Sequence, residues 1–271
     1  MKTVRSVAEL RETLEEARHR GARIGLVPTM GAFHDGHVAL MQAAREACDV
    51  VVVSLFVNPA QFGSEKDLAS YPRDEARDAG IAADVGVDLL FAPDASEIYP
   101  PGFDTWVEPG AIGQGLEGAA RPGHFRGVAT ICTKLFDIVQ PRVAFFGRKD
   151  AQQVAVIRQV VRDLDLAVEI AAIPTVRDDD GLALSSRNAL LGPEERRRAL
   201  ALPRALGAGA EAHRSGGDGV AAARAVLAGT PGLDIDYVEI VDLDGPTLAA
   251  AVRVGSVRLI DNVRLESAES R

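Results

Sequence analysis

The sequence predicts an α/β fold, in which a parallel sheet with helices on both faces is followed by a smaller α+β domain. Segments typical of strands and helices alternate from about residue 23 to residue 173, which is the pattern of βαβ units. Residues 50–57 are apolar on both faces and rich in β-branched side chains, as in a central strand covered on both sides. Beyond the polar stretch 177–181 the composition changes to helices rich in Ala and Arg. We therefore predict two domains, residues 1–176 and residues 177–271.

The elements of the first domain follow from capping signals and periodicity. Residues 6–9 have the form of a capping box, and Leu10, Leu14 and Ala17 continue one apolar helix face until Gly21. The other predicted elements are a strand over 23–27, a helix from about 38 to 47, the strand 50–57, a helix through Asp78 to about 85, a short strand over 88–91, a helix over 128–139, a strand over 142–146, a helix after residue 150 and a strand over 167–173. Residues that follow the strands are candidates for a site, because open α/β sheets bind ligands at their carboxyl edge.

The region between residues 93 and 127 is rich in Gly and Pro and has no sustained period, so we predict a long loop with one short helix. Arg121, His124 and Arg126 give this loop positive tips. Within it, GQGLEG at 113–118 matches a dinucleotide-binding fingerprint literally. We reject a dinucleotide site there, because no strand precedes the run and Pro122 blocks the helix that should follow.

The second domain is predicted to hold helices over 193–213 and 219–227 and two strands, over 235–241 and 256–265, in an antiparallel sheet. Its alanine content leaves a helical interaction domain open as an alternative for this half of the chain.

Composition and charge limit the class of protein. The 271 residues are 47% hydrophobic and 25% charged, with a formal net charge of −9, which argues against a general nucleic-acid surface. No apolar run approaches the length that spans a membrane, and residues 1–20 are charged and helical rather than a signal sequence. Cys48 and Cys132 stand in apolar surroundings, which predicts reduced core thiols and a cytoplasmic protein.

The decapeptide PTMGAFHDGH at 28–37 joins a predicted buried strand to a helix. Such a turn directs backbone N–H groups and a helix dipole at its ligand, as in many phosphate sites. His34 and His37 share one helix face, so both can donate to one phosphate where transition-state charge develops. Two alternatives remain open for this pair: the histidines merely cap the helix, or they belong to a metal site whose third ligand is not apparent.

Two other strand ends carry polar side chains. Asn58 and Gln61 follow the strand 50–57, and Gly147-Arg148-Lys149-Asp150 follows the strand 142–146. Lys149 can contact phosphate and Asp150 can accept hydrogen bonds from ribose hydroxyls, although a solvated turn of alternating charges is an alternative for these four residues alone.

Five spaced motifs, PTMGAFHDGH, SLFVNPAQFG, YPRD, FFGRKDAQQ and PTVRDDDGLALSSRNALL, together resemble the successive motifs of the pantoate–β-alanine ligase (pantothenate synthetase) family. The pattern His-Xaa-Gly-His also resembles the signature of the wider nucleotidyltransferase superfamily. The resemblance covers nearly the whole chain. It implies a Rossmann-like nucleotidyltransferase domain, a smaller C-terminal α+β domain that acts as a lid, and a homodimer.

The reaction implied by the resemblance has two steps. Pantoate attacks the α-phosphorus of Mg²⁺-bound ATP to give pantoyl adenylate and pyrophosphate, and β-alanine then displaces AMP. The small-molecule partners implied are therefore ATP, pantoate and β-alanine, with Mg²⁺ as the cofactor. Two other functions stay open: an adenylyltransferase that stops at a nucleotidyl product, and a nucleotide sensor without turnover.

The resemblance also implies roles for individual residues. His37, His34 and Lys149 would be catalytic, with His37 as a proton donor. The residues implied to bind ATP are Met30, Gly31, His34, His37, Gly147, Lys149, Asp150, Val176, Leu184, Ser185, Ser186 and Arg187. Gln61 and Gln153 would bind pantoate, Gln61 would also border β-alanine, and Asp78 would lie near the magnesium.

Some of these roles have structural alternatives. Ser185 and Ser186 equally suit a helix cap, and a solvated helix position is an alternative for Gln153 and for Asp78. Two residues depart from the family pattern, which usually has an acidic or amide residue in place of Arg148 and Met in place of Leu184.

Overall fold

The structure is a computed structural model, and it describes residues 1–265. The chain forms two compact units. The first comprises Met1–Arg148 and Gln152–Ile173, and the second comprises Lys149–Ala151 and the residues from Pro174 onward.

The first unit contains a parallel sheet of six strands. The strands are β1 (Lys2–Val4), β2 (Ile24–Thr29), β3 (Val50–Leu55), β4 (Leu89–Phe91), β5 (Val143–Gly147) and β6 (Glu169–Ile173), in the order β1-β4-β3-β2-β5-β6. Each adjacent pair runs parallel, so the predicted α/β class is confirmed. The strand order reverses at β2, which has β3 on one side and β5 on the other, and this is where such sheets bind ligands.

Helices cover both faces of this sheet. They are α1 (Val7–His19), α2 (Asp35–Ala47), α3 (Glu65–Ser70), α4 (Glu75–Val85), α5 (Ala95–Ile98), α6 (Glu117–Ala120), α7 (His124–Val139) and α8 (Ala151–Asp163). Alternate residues of the strands enter different cores: Leu26 packs in the cluster of α1, α7 and α8, while Val27 packs in the cluster of α2 and α4. Burial on both faces explains why β2 and β3 read as continuous apolar runs.

The local signals in the N-terminal half are confirmed in several places. The Ser6 hydroxyl accepts the Glu9 N–H at 3.2 Å, which is one half of the predicted capping box. The Glu9 carboxylate accepts the Arg5 N–H at 3.4 Å, where a full capping box would have it accept the Ser6 N–H. Helix α2 begins at Asp35 and not near residue 38, because the side chain of His34 caps it. Strand β1 was not predicted; it is a three-residue edge strand that pairs only with β4.

The region 93–127 holds more structure than the single short helix predicted. It contains α5, a 3₁₀ turn over Gly110–Gly113, α6 and the first turn of α7. The run 113–118 joins the 3₁₀ turn to α6 and does not follow a strand, so it lacks the strand-to-helix context of a dinucleotide fingerprint. Gly118 is required there for close packing: a Cβ would lie 1.8 Å from the Gly113 carbonyl oxygen.

The second unit is an α+β fold, as predicted. Its helices are α9 (Pro193–Ala199), α10 (Ala201–Arg214) and α11 (Gly219–Ala228), and its antiparallel sheet has the order β7 (Leu233–Asp242), β8 (Pro246–Val254), β9 (Val257–Arg264). Only two of these strands were predicted. The central strand β8 carries three successive alanines, Ala249–Ala251, and alanine is depleted in strands generally.

Small residues in the second unit allow its layers to approach closely. A Cβ on Gly209 would lie 2.4 Å from Leu248 Cδ2 and 2.6 Å from the Gly219 carbonyl oxygen. A Cβ on Gly219 would in turn lie 2.7 Å from the Gly209 carbonyl oxygen. Helices α10 and α11 therefore touch backbone to backbone at this pair of glycines.

Candidate active site

The turn after β2 adopts a backbone shape that requires glycine. Gly31 has φ of 89° and Ala32 has φ of 54°, both in the left-handed region. A Cβ on Gly31 would lie 2.7 Å from Leu55 Cδ1 and 2.9 Å from Asp78 Oδ2. The predicted ATP-binding residue Gly31 is thus fixed by both conformation and space.

Two residues of α4 make hydrogen bonds to the backbone of this turn. The Asp78 carboxylate accepts the Ala32 N–H at 2.7 Å through Oδ2 and the Phe33 N–H at 2.8 Å through Oδ1. Arg77 Nη2 donates to the Phe33 carbonyl at 3.0 Å. Asp78 is buried and does not occupy the solvated helix position that was its alternative.

The two histidines start helix α2 and lie against each other. His34 Nδ1 accepts the Gly36 N–H at 3.1 Å, His37 Nδ1 accepts the His34 N–H at 3.3 Å, and the ring centroids are 4.2 Å apart. A nitrogen that accepts carries no proton, so each neutral ring holds its proton on Nε2. Capping and donation to a phosphate are therefore compatible, because they use opposite nitrogens of the same ring.

The metal alternative for the histidine pair requires further protein ligands. Residues 1–265 contain no group of three or more His, Cys, Asp or Glu side chains that could hold a metal ion. Mg²⁺ bound with a nucleotide does not need such a group, since it is held largely by phosphates, water and one or two carboxylates.

Gln61 lies in a buried hydrogen-bond network beyond the end of β3. Asn58 Nδ2 donates to Gln61 Oε1 at 2.9 Å and to the Gly127 carbonyl at 3.1 Å. The Tyr99 hydroxyl donates to Asn58 Oδ1 at 2.8 Å, and burial raises the pKa of this phenol above its usual value. The network fixes the amide of Gln61 with its oxygen toward Asn58, so its NH₂ group is the part suited to an anionic ligand.

The start of α7 holds the backbone of Gln61. His124 Nδ1 lies 3.0 Å from the Gln61 carbonyl oxygen, so this ring nitrogen is the protonated one. Arg121 Nη2 donates to the same oxygen at 3.3 Å. Two of the three basic side chains predicted for this loop, Arg121 and His124, thus make hydrogen bonds inside the protein. The guanidinium of the third, Arg126, lies 4.5 Å from the centroid of the Trp106 ring.

Gln152, next to the predicted pantoate residue Gln153, anchors the loop before α6. Its Oε1 accepts the Glu117 N–H at 3.0 Å, and its Nε2 donates to the Ile112 and Gly115 carbonyls, each at 2.9 Å. Gln152 is buried, whereas Gln153 is half-buried. Gln152, Tyr99 and Arg77 were not predicted from the sequence, because nothing in their local spacing separates them from ordinary helix and loop residues.

The turn after β5 is a 3₁₀ turn over Arg148–Asp150. Lys149 Nζ lies 3.8 Å from Asp150 Oδ1, and the side chain of Lys149 is 19% exposed. Within the second unit, Asn262 Nδ2 donates to the Lys149 carbonyl at 2.9 Å. Asn262 therefore fixes the backbone of Lys149, and most of the Lys149 side chain is shielded from solvent.

Residues 176–187 form a narrow loop in the second unit. Leu184 N–H donates to the Val176 carbonyl at 3.0 Å, and an isolated bridge joins Arg177 to Ala183. Ser185 Oγ accepts the Arg187 N–H at 3.3 Å, so the capping alternative for Ser185 is present in the structure. Arg187 is exposed, and Leu184 and Ser186 are half-buried.

The predicted site residues divide between the two units. The first unit contains Met30, Gly31, His34, His37, Gln61, Asp78, Gly147 and Gln153, and the second contains Lys149, Asp150, Val176, Leu184, Ser185, Ser186 and Arg187.

The family model for pantoate-beta-alanine ligase matches residues 2–264. The chain belongs to this family. The pantothenate synthetase of Rhizorhabdus wittichii is 54% identical over 99% of this chain and 100% of its own length. That of Heliobacterium modesticaldum is 51% identical over 98% of this chain and 100% of its own length.

Solved structures of pantoate–β-alanine ligases share the fold. The pantothenate synthetase of Thermus thermophilus superposes with a TM-score of 0.92 at 45% identity, over 98% of this chain and 100% of the other. The ligase of Francisella tularensis, described as complexed with beta-gamma ATP and beta-alanine, has a TM-score of 0.84 at 34% identity over 97% of both chains. The fold class and the family predicted from the sequence are confirmed.

No helix within residues 1–265 is long and apolar enough to cross a membrane.

Proposed function

We propose that this chain condenses pantoate with β-alanine to give pantothenate, using ATP through a pantoyl adenylate and releasing pyrophosphate and AMP. The observation that carries the proposal is the pair His34 and His37, whose Nδ1 atoms are engaged so that both rings carry donor hydrogens on Nε2. The pair stands at the start of a 13-residue helix, whose dipole adds positive potential for phosphate.

In the first step a carboxylate oxygen of pantoate attacks the α-phosphorus, and the bond to the bridging oxygen of pyrophosphate breaks. A carboxylate is already a nucleophile, so this step requires alignment and charge stabilisation and no side-chain base. His37 and His34 would donate hydrogen bonds to the phosphoryl oxygens as charge develops. Met30 and Gly31 would line the nucleotide along the same turn.

Pantoate would be held by uncharged amides. The NH₂ groups of Gln61 and Gln153 can bind a carboxylate or hydroxyl without neutralising the charge that must attack. Asn58 already holds the Gln61 amide in one orientation, so the cost of ordering it is met before pantoate binds.

The triphosphate would be bound by basic and hydroxyl groups of the second unit. Lys149 and Arg187 supply positive charge, and Ser185 and Ser186 supply hydroxyls for the departing pyrophosphate. Gly147 and Asp150 would contact the ribose side, and Val176 and Leu184 the adenine. We infer that residues 177–271 act as a lid, and that this lid carries Leu184, Ser185, Ser186 and Arg187.

In the second step the neutral amine of β-alanine attacks the acyl carbon, and AMP leaves with the phosphate oxygen. Gln61 would border this amine. The pantoyl group needs no second binding site for this step, because it stays where the first step formed the adenylate.

Magnesium would enter as part of the substrate Mg-ATP. By family resemblance Asp78 would lie near this ion, either as a direct ligand or as a residue that shapes the turn around the phosphates. We also infer, from the same resemblance, a homodimer. Cys48 and Cys132 are both buried and unpaired, which supports a location in the reducing cytoplasm.

The test is pyrophosphate release from the purified protein with Mg-ATP and pantoate, with and without β-alanine. Release that requires pantoate, and continued AMP formation that requires β-alanine, support the ligase. Pyrophosphate release with a nucleotidyl product that β-alanine does not consume would instead identify an adenylyltransferase. ATP binding without any release would contradict the proposal.

A further inference from the structure

We propose that Asp78 is a positioning residue for the adenylation step: its carboxylate holds the turn between β2 and α2, and this role requires no metal ion on Asp78. The inference rests on the proposed function, since it concerns the turn that carries His34 and His37. It assigns Asp78 a role different from the magnesium ligand that family resemblance suggests.

The contacts of the carboxylate carry the inference. Asp78 is 1% exposed, and its two oxygens accept separate backbone N–H groups, those of Ala32 at 2.7 Å and Phe33 at 2.8 Å. Both distances lie at the short end of the range for N–H···O bonds. One buried side chain therefore satisfies the two consecutive amides that immediately precede His34.

The turn needs this support because its backbone is unusual. Ala32 has φ of 54°, a region that residues with a side chain rarely adopt. Without a fixed acceptor, Ala32 would relax toward ordinary angles and displace His34, which caps α2 through its own Nδ1. The position of both imidazoles thus depends on the acceptor beneath the turn.

Only a carboxylate suits two donors at this spacing. Asparagine has nearly the same shape, but it offers one acceptor oxygen and places an NH₂ group against the second backbone N–H. Asp78→Asn therefore removes one hydrogen bond and places the NH₂ group of asparagine against a buried backbone N–H, so that two donors face each other. The volume of the side chain hardly changes.

The surroundings of Asp78 disfavour a cation on the same oxygens. Both oxygens face N–H groups, and Arg77 Nη1 lies 3.4 Å from Oδ1. Arg77 Nη2 also donates to the Phe33 carbonyl at 3.0 Å. A divalent ion bound here would be repelled by the guanidinium and would compete with two backbone donors.

The experiment compares wild type, Asp78→Asn and Asp84→Asn, a control that removes a carboxylate from an exposed position of the same helix. Pantoate-dependent pyrophosphate release is measured in single turnovers against free Mg²⁺, and the affinity for Mg-ATP is measured by calorimetry. We expect Asp78→Asn to lower the single-turnover rate on the order of 10- to 100-fold. The half-saturating Mg²⁺ concentration of Asp78→Asn should stay within about twofold of wild type. The single-turnover rate of the control Asp84→Asn should also stay within about twofold of wild type.

A rate that recovers when Mg²⁺ or Mn²⁺ is raised would overturn the inference, because it would show that Asp78 binds the ion. A wild-type rate in Asp78→Asn would also overturn it. If wild type itself releases no pyrophosphate, the proposed function fails. The positioning role is then judged by calorimetry with ATP alone and with Mg-ATP. An affinity that Asp78→Asn weakens equally with and without Mg²⁺ supports it, and a loss confined to Mg-ATP, or no loss, overturns it.

Arg77→Gln keeps the inference testable if Asp78→Asn does not fold. This change leaves both carboxylate oxygens with their backbone donors but removes the guanidinium that holds the Phe33 carbonyl. A positioning role predicts a slower single turnover at an unchanged half-saturating Mg²⁺ concentration. A metal-ligand role predicts tighter Mg²⁺ binding once the positive charge is gone, and that result would overturn the inference.

Discussion

Replacing Gln152 with leucine should destabilise the first unit without acting on the substrates. Leucine has a similar volume, so the change mainly removes three hydrogen bonds and leaves little cavity. It removes the Gln152 partner of the buried Glu117 N–H and of the part-buried Ile112 carbonyl. The Gly115 carbonyl loses one bond but still accepts the Gly118 N–H at 2.8 Å.

The magnitude follows from the two groups that lose the Gln152 side chain as partner. The buried Glu117 donor costs about 1–3 kcal/mol, and the Ile112 carbonyl, which is only part-buried, costs about 0.5–1 kcal/mol. We expect a loss of about 3 kcal/mol in the free energy of unfolding. For a unit of this size such a loss lowers the midpoint of thermal unfolding by roughly 6–12 °C.

Thermal unfolding followed by circular dichroism measures this effect, and Gln153→Leu is the matched control. Gln153 is the next residue of the same helix but is half-buried, so its substitution should change the free energy of unfolding by less than about 1 kcal/mol. The pantoate KM of that control should rise, because Gln153 is a proposed pantoate ligand. Equal unfolding midpoints for the two variants would refute the reasoning.

Four further outcomes are expected. His37→Ala should fold normally and slow pantoate-dependent pyrophosphate release on the order of 10²-fold; near-normal turnover would contradict its role. Gln61→Ala should raise the pantoate KM, and an effect limited to the ATP KM would speak against the site. Gly127→Ala places a Cβ 2.3 Å from the Ala60 carbonyl oxygen, so about 1–3 kcal/mol of stability should be lost in chemical denaturation; an unchanged midpoint would show that α7 can shift. Burial raises the pKa of Cys132 to about 12, so iodoacetamide at pH 8 should label it only in the denatured protein, and native labelling seen by mass spectrometry would be inconsistent with this burial.

The sequence was sufficient for the elements whose pattern is strong and periodic. Strand β3 and helix α1 were predicted because a buried β-branched run and a capping box are local signals. Strand β8 was not, because its alanines pack under helices whose closeness is a property of the whole second unit. Strand β1 is too short to show a period. Its partner strand β4 lies more than 80 residues further along the chain.

The candidate site divides in the same way. His34, His37 and Gln61 follow strands directly, so topology places them at the ligand-binding edge before any coordinates are known. Gln152 and Tyr99 act on groups 35 to 41 residues away. Asp78 was found through family resemblance, but its two backbone donors lie 45 and 46 residues from it. Such contacts depend on tertiary packing, which local spacing does not encode.

The backbone contact between Gly209 and Gly219 explains part of the unusual composition of the second unit. At this contact there is no room for side chains, and the small residues Ala205, Ala223 and Ala249–Ala251 are buried inside the unit. Random mutagenesis should therefore yield few tolerated enlargements at the buried positions of α10, α11 and β8. Tolerated substitutions should instead be found at solvent-facing arginines and at the turn 215–218. A mutant library that aims to change the properties of the enzyme without unfolding it would best be concentrated there.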